Sequence, residues 1–165
     1  MEKREARRAE LEAIRDRLPR LEDEPALVGV GNEMRGDDGF GVLAARELEG
    51  VLGIPVYVAG PVPENYLGKI ARTGARSLLV LDAVDFGGAA GELRLLAPGE
   101  LTYSHFSSHL PPLQLMELFL SEGGVSMQVL AVQPATVAFM APLTEAVRGA
   151  LEETVAFLRG LYGGG

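Results

Sequence analysis

Gly29-Val30-Gly31-Asn32-Glu33-Met34-Arg35-Gly36-Asp37-Asp38-Gly39-Phe40-Gly41 is the stretch whose reading decides the fold. An apolar, strand-like run precedes it (residues 26–30) and a helix-like run follows it (residues 42–48). Two adjacent carboxylates therefore sit in a glycine-permitted turn where a strand hands over to a helix. In an open α/β sheet, sites are built at such carboxyl ends of strands. Two acids at the mouth of a helix are compatible with a bound cation, a general acid/base or an ordinary cap.

Outward from this turn, strand and helix signals alternate. The patterning predicts an amphipathic helix over 3–19, with Leu11, Ile14 and Leu18 on one face, broken by the segment that ends at Pro25. It then predicts strand 26–31, helix 39–50, strand 54–59, helix 64–73, strand 77–83, strand 91–96, helix 111–122, strand 125–132 and helix 143–161. The strands are nearly continuous in hydrophobicity, as strands covered on both faces should be. The expected fold is a three-layer α/β/α arrangement, phosphorylase/hydrolase-like, with a mostly parallel, twisted five-stranded sheet. Strand 91–96 is the one that could run antiparallel at an edge. Gly87-Gly88-Ala89-Ala90-Gly91 suits a short hairpin-like link into it. Residues 1–24 read as an N-terminal helical extension that packs on the rest, and 25–165 as one α/β domain.

Composition narrows the partners. The 165 residues carry 15 Lys+Arg against 23 Asp+Glu, a net charge of −8, which argues against nucleic acid or an anionic membrane. There is no cysteine, so disulfides, thiolate metal sites and cysteine nucleophiles are excluded together. No apolar run approaches the ~18 residues of a membrane span, and the charged N-terminus lacks a signal-peptide core. A cytoplasmic setting is the expectation.

In the common doubly wound order, the first and third strands are neighbours and their connections leave in opposite directions. The third, Ser77-Leu78-Leu79-Val80-Leu81-Asp82-Ala83-Val84-Asp85, also ends in acids. Asp38 and Asp82 are thus expected to converge on one crevice, although a strand-end acid can be no more than a cap for the next turn. A dinucleotide site fits poorly. Met34 stands where the third glycine of the fingerprint belongs, the second strand lacks a ribose-binding acid, and Asp37 and Asp38 would repel a pyrophosphate. The only histidines, His105 and His109, lie in a serine-rich segment before Pro111-Pro112. Either could be a mere cap. If that loop folds over the crevice, an imidazole joins two carboxylates, a set better suited to zinc or nickel than to magnesium.

Taken in order, the first turn, Leu81-Asp82-Ala83-Val84-Asp85-Phe86-Gly87, Ser107-Ser108-His109 and Val132-Gln133-Pro134 resemble the hydrogenase maturation proteases over roughly residues 26–160. Pro63-Glu64-Asn65-Tyr66 resembles the subgroup serving formate-hydrogenlyase and related membrane-bound hydrogenases. The resemblance implies an endopeptidase that removes the C-terminal peptide of a nickel–iron hydrogenase large-subunit precursor after nickel insertion. It also implies that Asp38, Asp82 and His109 engage that nickel, for which zinc or cadmium can substitute, and that the protein is a monomer. His105 acquires no role. Asp37 is expected to cap the following helix, Asp85 to form a turn, Asn32 to fix its own turn, and Gln133-Pro134 to shape the cleft. The competing class is a non-catalytic metal- or cofactor-binding chaperone on the same scaffold.

Overall fold

The computed structural model describes residues 2–101 and 110–164. The elements, in order, are α1 (Glu2–Ile14), β1 (Pro25–Val30), α2 (Phe40–Leu48), β2 (Val56–Gly60), α3 (Leu67–Arg72), β3 (Ser77–Ala83), β4 (Leu93–Leu96), α4 (Leu110–Glu122), β5 (Ser126–Val132) and α5 (Glu145–Tyr162). The five strands form one sheet in the order β2-β1-β3-β5-β4. All pairs are parallel except β4 with β5 at the edge, as the patterning predicts.

Alternation along each strand sends side chains to two cores. Leu27, Leu79, Leu81, Leu130 and Val132 face α1, α2 and α5, where Leu11, Phe40, Leu48, Val147 and Leu158 meet them. Ala26, Val28, Leu78, Val80 and Val129 face α3 and α4, where Ile70, Leu113, Met116 and Leu120 meet them. The helix after β1 and the helix before β5 thus cover opposite faces, and the carboxyl ends of β1 and β3 border the crevice between their connections.

The glycines of the opening motif let α2 lie directly on the sheet. A Cβ on Gly41 would stand 2.0 Å from the Leu81 carbonyl oxygen and 2.3 Å from that of Val30. A Cβ on Gly29 would stand 2.2 Å from the Gly41 oxygen. Only glycine permits this approach, which brings the acidic turn onto the end of β3.

One expectation fails. The Gly87–Gly91 segment is not a hairpin link, because β5 pairs with β3 in parallel along the edge that a returning β4 would need. The chain instead steps across the end of β5 and adds β4 on its far side. Gln133, just past β5, fastens this crossing. Its side-chain oxygen accepts the N–H groups of Phe86 (2.9 Å) and Gly88 (3.0 Å), and its backbone oxygen accepts that of Gly91 (2.9 Å).

Helix α1 contributes Leu11 and Ile14 to the first core, with Leu18 just beyond it, on the face the periodicity indicates. Arg7 donates to the Ala146 carbonyl at 2.9 Å, and Arg4 and Arg8 pair with the buried Glu153. Glu10 accepts the Leu93 N–H at 2.8 Å, so the helix also covers the exposed edge of β4. Among the described residues, no helix is long and apolar enough to cross a membrane.

Glu10 provides a test of this cover. Desolvation raises its pKa above the ordinary 4.5, outweighing the Leu93 N–H that favours the anion. A raised folded value means that the protonated form stabilises the fold below pH about 4.5, and that this contribution is lost as pH rises through the folded value. Glu10→Gln keeps an acceptor for Leu93 without the charge. Its stability, followed by thermal melts from pH 4 to 8, is expected to gain on wild type as pH rises, by less than about 1 kcal/mol.

Candidate active site

Three carboxylates are buried where the sheet meets the first turn: Asp37 (0% exposed), Asp38 (1%) and Asp82 (0%). Acids are rarely so buried without partners, and their surroundings show that they have different jobs.

Asp38 lies in a 3-10 turn, Gly36–Gly39, that packs against β3. Its Oδ2 accepts the Asn32 N–H at 3.0 Å, closing the loop on itself. Asn32 in turn accepts the Met34 N–H at 3.0 Å, the side-chain turn its position predicts. Gly31, at φ +143°, leaves no room for a Cβ, which would meet the Asp38 carbonyl oxygen at 2.0 Å. Asp82 is the penultimate residue of β3, and its Oδ1 accepts the following Ala83 N–H at 2.9 Å. Strand parity puts Asp82 on the same face as Leu78 and Val80, the face covered by α4. Asp38 and the end of β3 share a cavity of about 160 Å³, lined also by Ala83, Asp85 and the segment Pro134–Val137.

Asp37 is not a cap for α2. The residue preceding that helix, Gly39, makes no side-chain cap, and Asp37 turns the other way, toward the segment between β5 and α5. Its oxygens accept the N–H groups of Ala135 (2.8 Å), Thr136 (3.3 Å) and Thr144 (2.8 Å), and the Thr144 hydroxyl (2.8 and 2.9 Å). The Asp37 N–H adds a bond to the Thr136 carbonyl at 2.9 Å. Asp37 thereby holds the far wall of the cavity against the turn that carries Asp38. Nothing in the sequence reveals this, because its partners lie about a hundred positions downstream.

Asp85 forms the expected turn, accepting the Gly87 N–H at 3.1 Å. The Gln133 amide, donating at 3.0 Å, and the Gly87 N–H hold the Asp85 carboxyl below the usual carboxylate range. Gln133 thus shapes the cleft by fixing its rim, and Pro134 lines it. His105 and His109 lie outside the described residues. Among the described residues, no three His, Cys, Asp or Glu side chains gather into a metal site.

This is an α/β/α scaffold with a cavity beyond the carboxyl ends of β3 and β5, walled by Asp38 and Asp85. The family model described as hydrogenase maturation protease matches residues 46–159. Hydrogenase 3 maturation protease of Escherichia coli K12 is 33% identical over 142 residues, covering 84% of this chain and 91% of that protein. Among solved structures, the NiFe hydrogenase maturation protease HycI from Thermococcus kodakarensis KOD1 superposes with a TM-score of 0.73 at 28% identity, covering 84% and 92% of the two chains. The endopeptidase HycI from Escherichia coli gives 0.73 at 31%, covering 82% and 89%. The chain belongs to the hydrogenase maturation protease family, and it is a peptidase.

Proposed function

We propose that this chain is the endopeptidase that removes the C-terminal peptide of a nickel–iron hydrogenase large-subunit precursor once nickel has been inserted. Asp38, Asp82 and His109 are the side chains assigned to that nickel, which is the precursor's cargo. The observation that supports the reading is the burial of two carboxylates, Asp38 in the loop after β1 and Asp82 at the end of the neighbouring β3, with Asp38 on the wall of a cavity.

The chain's own residues supply three things. Asn32 and Ala83, by donating to the two carboxylates, fix their orientation before the precursor arrives, so little ordering remains to be done on binding. The bound precursor covers the cavity wall, which leaves room for the reacting water but screens the charges beside it from bulk solvent. Water attacking the carbonyl carbon gives its proton to a carboxylate oxygen of the pair, and that proton passes to the departing amide nitrogen as the C–N bond breaks. Asp38, Asp82 and His109 would hold the precursor's nickel, which when bound would supply Lewis acidity at the scissile carbonyl.

The test is to mix the purified chain with the nickel-loaded precursor and to follow the precursor's intact mass. Loss of a C-terminal peptide is the expected result. Stable binding with no change of mass would favour a chaperone that only holds the loaded subunit.

A further inference from the structure

Beside the cavity, three large apolar side chains stand in solvent: Met34 (50% exposed), Phe139 (64%) and Met140 (67%). They come from two loops that are tied together. The Met140 N–H donates to the Met34 carbonyl at 2.6 Å, and the Gly36 N–H donates to the Ala141 carbonyl at 3.1 Å. Phe139 and Met140 form the tip of a turn closed by the Ala141 N–H on the Ala138 carbonyl at 3.1 Å. Met140 occupies its third position at φ +67°, where glycine or asparagine is the usual residue. An exposed methionine held in a left-handed conformation gains nothing for the fold, and such positions gather at functional sites. The same turn is continuous with Thr136 and Val137, which line the cavity, and Asp37 fastens the base of its loop.

We propose that Met34, Phe139 and Met140 form a preassembled apolar rim that receives the stretch of precursor chain flanking the cleaved bond. This rests on the processing reading above, because a peptidase must hold the residues on either side of the bond it cuts. An acidic protein with a net charge of −8 gains from anchoring that stretch through apolar contacts beside its carboxylates. Thioether side chains also adapt to varied partner side chains. The segment that occupies the rim is accordingly expected to present at least one large apolar side chain.

The experiment compares wild type with Met34→Ser/Phe139→Ser and with Met140→Gly, reading precursor affinity by titration and tail release by mass. Glycine accommodates the turn, so Met140→Gly removes the side chain without disturbing the loop, and a melting curve verifies that each variant folds. The double variant is expected to weaken precursor binding about tenfold or more, raising KM with kcat little changed. Met140→Gly is expected to weaken it severalfold while melting no lower than wild type. Affinity within twofold of wild type in both variants would overturn the rim. So would a wild-type dimer in sedimentation that these variants dissolve without any change in affinity, since the occupant would then be a second copy. Because binding is read separately from cleavage, a wild type that binds through the rim but releases no peptide contradicts the processing reading and leaves the rim standing.

Discussion

Asp38→Asn is expected to reduce release of the precursor's C-terminal peptide by about a thousandfold or more while leaving the fold intact. Asparagine is isosteric and keeps an oxygen for the Asn32 N–H, the bond that closes the Asp38 turn. What it removes is the negative charge and the basicity that the proposed nickel contact and proton transfer would both need. The variant's melting temperature should stay within a few degrees of wild type, and a precursor-processing time course gives the activity. Processing at the wild-type rate would remove Asp38 from the site. The parallel Asp82→Asn change keeps an acceptor for Ala83, so the two acids can be compared on equal terms.

Asp37→Ala is expected to act in the opposite manner, through stability first. The carboxylate accepts bonds from three backbone N–H groups and the Thr144 hydroxyl, all from one segment of chain. Hydrogen bonds to a charged group contribute about 1.5–3 kcal/mol each, and relief of the buried charge offsets part of the loss. A net loss of about 3 kcal/mol corresponds to a fall in Tm of about 6–12 °C for a chain of this size. Thermal unfolding followed by circular dichroism measures it. If Asp37 were only a helix cap, the loss would be closer to ~1 kcal/mol. Because the Pro134–Val137 wall would loosen as well, processing should fall even at temperatures where the variant remains folded.

The two adjacent acids illustrate how far the sequence is legible. The alternation of apolar runs, the glycines around the first turn and the acids ending β3 are local signals. They lead to the right layers and to the neighbouring of β1 and β3. The antiparallel edge is legible too, because Leu93–Leu96 is short and follows β3 without an intervening helix. Local signals stop where partners are remote. Asp37 reads as a cap because a helix follows it closely, whereas its partners lie at Ala135, Thr136 and Thr144. The Gly87–Gly91 segment reads as a hairpin because its glycines suit one, whereas the pairing of β5 with β3 forbids it. Element ends shift as well: β2 begins at Val56 rather than at 54, directly after Pro55. The exposed rim is likewise hidden in the sequence, since Met34 and Met140 meet only through tertiary hydrogen bonding.

On the proposed function, Asp38 and Asp82, with the imidazole of His109, make cleavage conditional on a metal carried by the precursor. The most direct measurement is the intact mass of nickel-loaded and nickel-free large-subunit precursor after identical incubation with this chain. The loaded precursor alone is expected to lose its C-terminal peptide. Shortening of the nickel-free precursor at the same rate would contradict it.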